Sequence, residues 1–497
     1  MMKSYAKQLP WCVMALILVG CGRDVMPEPQ APAVTRTAKQ GIIAACPFNS
    51  PVLDMEKSLV VRDLSVVNDP CRTQSPWTGT ASCASPSSKG QWNFGYLMSQ
   101  IAGNKDAAGT SDFVLKWLNT WMTDQVVNGH VMGARTGMLS GNPTGMGKFI
   151  KTWRDKSFCP ASGACTLDFN QAPFRLLAIV NRVDLSGNAY GSDSPGELRF
   201  VFGFVDLNGL ASATNGAMKA TVILEYKLTP HNDAFGWADD WYSLAARGWG
   251  EPFNVALGQL TTRVTQYNPG VVSGGSALSQ ARTNEIEFDT NTLANRVWEL
   301  REQKRDCSTG TCLLRPDTVK LTPDSLYNKS GSLDGYLLAN AGLINAEDLS
   351  TLPAVMVGGA SRSPGAQTLQ LVWDLTDGAQ GSYQQNGGTF ATNTRHLFAL
   401  QTCNGCHYAE THSSNFHVAP RSINMRAALS RFVAPTNDQG SLEANSWDLS
   451  QPLQYHTFTD PVDFEDRQYN DLWRRQCEMQ RLLRFIPEPL FKPSGGH

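Results

Sequence analysis

Apolar side chains return at helical spacing over Phe113 to Met122, where Val114, Leu115, Trp117, Leu118 and Trp121 supply them, and again over Trp237 to Arg247 and Val255 to Gln266. Each stretch predicts an amphipathic helix. Runs dense in Val, Ile, Leu and Phe at Phe174 to Leu185, Leu198 to Asp206 and Ala220 to Leu228 predict strands, and shorter ones are expected at Glu285 to Asp289, Val297 to Arg305 and Leu369 to Leu375. Strands in succession with helices grouped beside them predict an α+β body over residues 41–388, a mainly antiparallel sheet with flanking helices. Thr392 to Gln401 and Phe464 to Phe485 read as two more amphipathic helices. Residues 389–497 are therefore expected to form a small, mostly α-helical domain.

Charged residues interrupt the apolar strands. Asn181, Arg182 and Asp184 lie on the first, Glu197, Arg199 and Asp206 around the second, and Glu225 on the third. Asp184 and Glu197 could pair as general acid and base. Arg182 and Arg199 could equally neutralise these acids in ion pairs at the sheet margin, which is the preferred reading, so no catalytic pair is assigned.

The 497 residues are 41% hydrophobic, which excludes wholesale disorder and leaves room for a sizeable core. Lys and Arg number 42 against 44 Asp and Glu, a net charge of -2, so there is no cationic excess for gripping nucleic acid. Lys3 and Lys7 precede an apolar run from Leu9 to Gly20 that is too short to span a bilayer, which takes ~20 residues, and has the layout of an export signal. Leu18, Val19, Gly20 and Cys21 resemble the bacterial lipobox, which implies cleavage after residue 20 and lipidation of Cys21. An ordinary secretory signal or a short membrane anchor is the alternative. Gly22 rather than Asp after the cysteine implies, by the same resemblance, an outer-membrane destination facing the periplasm or the cell surface. Pro27, Pro29 and Pro32 suit residues 21–40 to an extended tether.

An exported chain meets an oxidising compartment, which changes the reading of its 12 cysteines. Cys159 with Cys165 and Cys307 with Cys312 each bracket a loop rich in turn formers and are expected to form local disulfides. Cys46, Cys71, Cys83 and Cys477 could supply two more, with Cys71 and Cys83 the nearer pair. Cys403 and Cys406 remain.

Residues 403–407 read Cys-Asn-Gly-Cys-His, the C-x-x-C-H arrangement of covalent c-type haem attachment. Two thiols three residues apart can add to two neighbouring vinyl groups, and the next side chain then lies beneath the iron. At this chain's Cys and His frequencies, roughly 0.005 chance matches are expected. The alternatives are a Cys403–Cys406 disulfide, a thiol redox pair, or a metal site. Five of the eight histidines, His396, His407, His412, His417 and His456, fall in one stretch of 61 or so residues near the motif. For a sixth iron ligand His417 ranks first and Met425 second, with His412, His456, Met479 or an open position behind them. A haem motif closing one helix, with a longer helix near the C-terminus, resembles small class I cytochromes c.

Other motifs fail. Gly141 to Phe149 approaches a phosphate loop, but its glycine spacing is off by one and Phe149 replaces the required hydroxyl; no H-E-x-x-H or G-x-S-x-G occurs. The stretches Trp92 to Gly95, Phe113 to Asn128, Phe174 to Leu185, Arg282 to Ile286, Phe398 to Thr411, Phe416 to Val418 and Pro420-Arg421 resemble a group of uncharacterised myxobacterial lipoproteins. That resemblance implies an exported protein with a C-terminal C-x-x-C-H segment and brings no substrate.

The expectation is an exported lipoprotein that binds one c-type haem through Cys403, Cys406 and His407 and transfers electrons to a partner protein. It would be held to the membrane by its lipid and would have no nucleic-acid partner. A non-redox surface binding lipoprotein, with Cys403 and Cys406 in a structural disulfide, is the alternative.

Overall fold

Strict alternation in Glu197–Val205 sends Leu198, Phe200, Phe202 and Phe204 to one face and Glu197, Arg199 and Val201 to the other, yet all nine residues are buried. A strand with both faces covered must sit mid-sheet between two layers. The computed structural model describes residues 53–73, 90–136, 145–186, 194–229, 233–286, 297–319, 322–345, 352–363, 371–377, 389–413, 415–435 and 455–483, all within one compact unit. Cys21 and the expected signal and tether lie outside these residues.

The chain is mixed α and β with a mainly antiparallel sheet, as its pattern predicts. In chain order the strands are β1 (Val60–Val61), β2 (Gln125–Val127), β3 (His130–Met132), β4 (Phe174–Arg182), β5 (Glu197–Val205), β6 (Ala217–Lys227), β7 (Leu278–Glu285), β8 (Trp298–Asp306), β9 (Leu313–Asp317), β10 (Ser361–Ser363), β11 (His456–Thr459) and β12 (Asp466–Tyr469). The main sheet runs β1-β4-β5-β6-β7-β8-β10, with β9 also on β8, and every pairing is antiparallel. β2 pairs with β3, and β11 with β12, as separate hairpins.

Helices α1 (Met55–Ser58), α2 (Leu64–Val67), α3 (Phe94–Ile101), α4 (Ala107–Leu118), α5 (Met146–Lys156), α6 (Ala234–Ser243) and α7 (Glu251–Thr265) belong to the first two thirds of the chain. Five of them start at an Asp or Asn whose side chain accepts from a first-turn amide: Asp54, Asp63, Asn93, Asp106 and Asp233. On the phenylalanine face of the sheet, Phe94 of α3 stacks on Phe174 with ring centres 3.8 Å apart, and Phe149 and Trp153 of α5 meet the same ring edge-on at 5.7 and 5.8 Å. Aromatic burial of this density makes that interface the main core.

The opposite face carries a row of charges. Arg199 bonds Glu197 at 2.7 Å and approaches Glu225 at 3.5 Å, while Arg282 bonds Glu225 at 3.2 Å and Glu302 at 3.0 Å. These five side chains sit on β5, β6, β7 and β8, and all are buried. Residues 403–435 lie over them, with α10 (Thr389–Gln401) leading in, and α11 (Asp471–Leu482) adds Arg474, which bonds Asp184 at 3.0 Å. Two short helices, α8 (Gly331–Ala339) and α9 (Ala341–Asn345), pack with Trp373, Leu375 and α10 in a second cluster.

Several boundaries differ from the pattern. A strand runs over Leu278–Glu285, ahead of the one expected at Glu285 to Asp289, whose residues 287–289 lie outside the described residues; Gln280, Arg282 and Asn284 face a buried polar layer and break the apolar run that would have revealed it. Residues 371–375 form no strand. Trp373 and Leu375 are buried in the second cluster, and the Trp373 carbonyl accepts from Arg395 at 3.1 Å instead of from a neighbouring strand. The helix expected from Phe464 starts only at Asp471. Asp466–Tyr469 alternates exposed and buried as β12, and Asn470 caps α11 through the Trp473 amide. Among the described residues from 389 onward the chain therefore mixes two helices, a hairpin and irregular segments.

Both short disulfides form, Cys159–Cys165 and Cys307–Cys312. Cys71 and Cys477 are disulfide-bonded as well, while Cys46 and Cys83 lie outside the described residues.

Phe174→Ala removes the ring on which α3 and α5 converge. It should destabilise the protein by about 3–5 kcal/mol, read as a lower urea midpoint at unchanged slope.

Candidate functional site

The CNGCH segment begins where α10 ends. The Thr402 hydroxyl donates to the Ala399 carbonyl at 2.6 Å and accepts from the Gly405 amide at 3.2 Å, and Gly405–Ala409 then winds as one wide π-type turn. Both residues between the cysteines have steric or bonding work. A Cβ on Gly405 would lie 1.9 Å from the Ala399 carbonyl oxygen, so only glycine fits. Asn404 donates to the Leu371 carbonyl at 3.0 Å and accepts from the Trp373 indole at 2.9 Å.

Cys403 and Cys406 are buried and outside any disulfide. Cys403 packs with Trp298, Leu300 and Val319, and burial pushes its thiol up to about 11. Burial drives the Cys406 thiol well above its usual value too, with nearby Asp471 and Cys403 adding to the effect.

His407 lies against the Trp298 ring with centres 5.2 Å apart. Its Nδ1 is 2.9 Å from the Asn415 carbonyl oxygen, which can only accept, so Nδ1 carries the proton and Nε2 keeps the lone pair. Burial lowers its pKa to about 4, so the imidazole is neutral at physiological pH. The same carbonyl accepts from Asn284 at 2.9 Å, and the Trp298 indole bonds the Asn284 side chain. Asn284, Asn415 and Trp298 thus hold the motif histidine from the sheet side, and none of them is visible as a site residue in the sequence.

His417 comes to the same place. Its ring centre is 4.2 Å from that of His407, its Nδ1 meets the Ser430 hydroxyl at 2.8 Å, and its Nε2 lies 3.3 Å from the Cys406 sulfur. Ser430 is positioned by a short antiparallel pairing in which its amide donates to the His417 carbonyl at 3.0 Å and Val418 bridges Leu429. Met425 is 48% exposed, and His412 is exposed; neither lines the cavity at the motif.

That cavity lies between the charged sheet face and residues 403–433, and its lining includes Arg199, Arg282, Cys403, His407, His417 and Arg475. Its volume is about 70 Å³. Asp184 and Glu197 are not a free acid–base pair. Arg182 and Arg474 bond Asp184 and hold its carboxyl far below the usual range against the opposing effect of burial, and Arg199 bonds Glu197. The ion-pair reading stands, although the pairs are buried under a layer of chain instead of lying at a solvent margin.

Behind the motif, His396 occupies a second buried network. Its Nδ1 is 2.9 Å from both Glu410 and Asp460, Arg395 bonds both acids, and the Tyr469 hydroxyl meets Nε2 at 2.5 Å. The ligand atoms of His396, Glu410 and Asp460 are close enough to surround a cation. Arg395 bonds both carboxylates and offsets the charge of one, and with His396 on the other the cluster works as a clamp between α10, the turn after the motif and the β11–β12 hairpin.

Burial depresses the charge of His396, but Asp460 and Glu410 outweigh it and raise its pKa. Asp184 and Asp460 are shifted the other way, their arginine and histidine partners overcoming burial to hold both carboxyls low. The carboxylates therefore stabilise the fold above about pH 4 and lose that contribution as pH falls. His396 contributes fully below about pH 6.5 and loses its share as pH rises through its raised value. His407, which burial holds down to about 4, acts the other way and withdraws stability as pH falls below about 6.5, so thermal unfolding should show stability declining on either side of about pH 6.5, and His396→Gln should flatten the alkaline limb alone.

Comparison with models of known families, with curated proteins and with solved structures finds no match to this chain.

Proposed function

We propose that this protein carries one c-type haem, bound through thioethers to Cys403 and Cys406 with His407 as the iron ligand on the attachment side, and transfers single electrons. The observation that carries the reading is the state of His407: its Nδ1 proton is committed to the Asn415 carbonyl, so a neutral Nε2 is left for a metal beside two thiols outside any disulfide. The donor chemistry fits this group, which would supply a one-electron couple.

Space is the constraint. Metal–nitrogen bonds of about 2 Å put two opposed ligand nitrogens about 4 Å apart and their ring centres farther still. The His407 and His417 rings, 4.2 Å between centres, are in side-by-side contact instead. The layer carrying His417 would have to part to admit a porphyrin, and His417 would hold the iron as second ligand only from that parted position. The chain's own residues then do two things. Asn415, Asn284 and Trp298 orient His407, and Leu300, Val418, Leu429 and Val433 exclude water.

The reading extends to the envelope. Residues 1–20 direct export, Cys21 is lipidated, and the body hangs from a Pro-rich tether, facing the periplasm or cell surface. Among the described residues no helix is long and apolar enough to cross a membrane.

The test is expression of the exported chain with cytochrome c maturation genes, followed by denaturation and acid–acetone extraction. A pyridine haemochrome that stays with the polypeptide supports the reading, and the double variant Cys403→Ala/Cys406→Ala should lose it entirely. Colourless wild-type protein beside a working control cytochrome, with mass spectrometry showing Cys403 joined to Cys406, would establish the disulfide-bonded binding lipoprotein instead.

A further inference from the structure

A second cavity, of about 330 Å³, lies between the first turns of α5 and the loop that joins β5 to β6, and it shares no lining residue with the cavity at the motif. That volume falls within the range of small-molecule sites, roughly 300–1,000 Å³. Phe149, Pro173, Val205, Leu207 and Met218 supply its apolar wall, and Lys148 and Asp206 are the charged members of its lining.

The loop is stiff on its own. Asp206 is fixed at its base: the Asp206 amide donates to the Gly216 carbonyl at 2.7 Å, the Asp206 carbonyl accepts from the Gly209 amide at 2.9 Å, and Oδ1 accepts from the Asn208 amide at 2.9 Å. Gly216 has a φ of +73°, and a Cβ there would lie 2.3 Å from the Asp206 carbonyl oxygen, so the loop closes only on glycine. Arg175 donates to the Asn215 carbonyl at 2.8 Å and the Ile423 amide to Asn215 Oδ1 at 3.2 Å, which pins the loop from outside. The Ser212 and Thr214 hydroxyls bond each other at 3.0 Å. A wall ordered in advance loses little entropy when a ligand binds.

Two charges are left over. Among the described residues neither Lys148 Nζ nor Asp206 Oδ2 has an ion-pair or hydrogen-bonding partner, although both side chains are half-buried and line one cavity. An anion alone would meet the Asp206 carboxylate, and a cation alone the Lys148 ammonium. An uncharged apolar molecule would cover both charges and satisfy neither. A molecule that carries a carboxylate and an ammonium beside an apolar group matches all three parts of the wall.

We propose that this cleft binds a small zwitterion of the α-amino-acid class with an apolar side chain. Lys148 takes the carboxylate, Asp206 takes the ammonium, and Phe149, Leu207 and Met218 take the side chain. The proposal does not rest on the haem reading, and either can fail without the other.

Calorimetric titration of the full-length protein with leucine, methionine and phenylalanine is the test. The tightest binder of the three is then compared with its deaminated analogue, which keeps only the carboxylate, and its decarboxylated analogue, which keeps only the ammonium. Each analogue should bind roughly tenfold or more weakly, the worth of one hydrogen bond to a charged group. Lys148→Met should weaken the amino acid by a similar factor and leave the decarboxylated analogue unaffected. Asp206→Asn, which keeps the acceptor for the Asn208 amide, should weaken the amino acid and leave the deaminated analogue unaffected. Circular dichroism of each variant separates loss of a charge from loss of the fold.

Absence of binding by all three amino acids at millimolar concentration overturns the proposal. So does an analogue that binds as tightly as its parent, because the cleft would then hold a simple anion or cation. Binding that survives both Lys148→Met and Asp206→Asn places the ligand elsewhere and overturns it as well.

Discussion

The row Glu197, Arg199, Glu225, Arg282 and Glu302 crosses four neighbouring strands in alternating sign, and the rest of the chain has to accommodate it. Ionised groups withdrawn from water carry a penalty of several kcal/mol each, offset only when each finds close partners of opposite sign. The register of the sheet supplies those partners, since Arg199 lies directly opposite Glu225 across β5 and β6, and Arg282 opposite Glu302 across β7 and β8. A shift of one residue would send every one of these charges into the phenylalanine face. The row therefore fixes the register as firmly as the aromatic packing on the other side does.

A sheet face of this kind cannot be sealed by an ordinary amphipathic helix. It is covered by irregular chain rich in backbone acceptors, held by arginines. Arg421 reaches the carbonyls of Leu176, Ile423 and Met425, Arg175 donates to the carbonyl of Arg421, and Arg62 to that of Ala427. Burial, with the nearby Arg175 charge adding to it, pushes Arg421 down to about 9, and burial pushes Arg175 down to about 10. The CNGCH motif is set into this cover, so the two cysteines and His407 inherit their positions from contacts spread over β4, β7, β8 and the stretch before α3.

Much of this was legible in the sequence. The runs of Val, Ile, Leu and Phe in Phe174 to Leu185 and Leu198 to Asp206 mark real strands, and the spacing of Phe113 to Met122 marks a real helix, because apolar side chains dominate those segments. Legibility fails where burial is polar. Leu278–Glu285 is a central strand that reads as unremarkable because Gln280, Arg282 and Asn284 are satisfied by partners distant in sequence. Tyr469 looks helical beside Leu472 and Trp473, yet it belongs to a hairpin whose other strand begins at His456. At the site, Cys403, Cys406 and His407 announce themselves by spacing. Asn415, Ser430 and Trp298 do not, since an amide carbonyl, a hydroxyl and an indole acquire their roles only from the fold.

The charged row also governs how this protein can change. Removing one member strands its neighbour and costs about 3–5 kcal/mol, whereas exchanging an entire buried set for well-packed apolar side chains can be nearly neutral. Single substitutions are thus closed off along Glu197, Arg199, Glu225, Arg282 and Glu302, while coordinated replacement stays open. Among descendants of this chain these five positions should drift together or not at all, giving the sheet face a collective memory that no one of its residues holds alone.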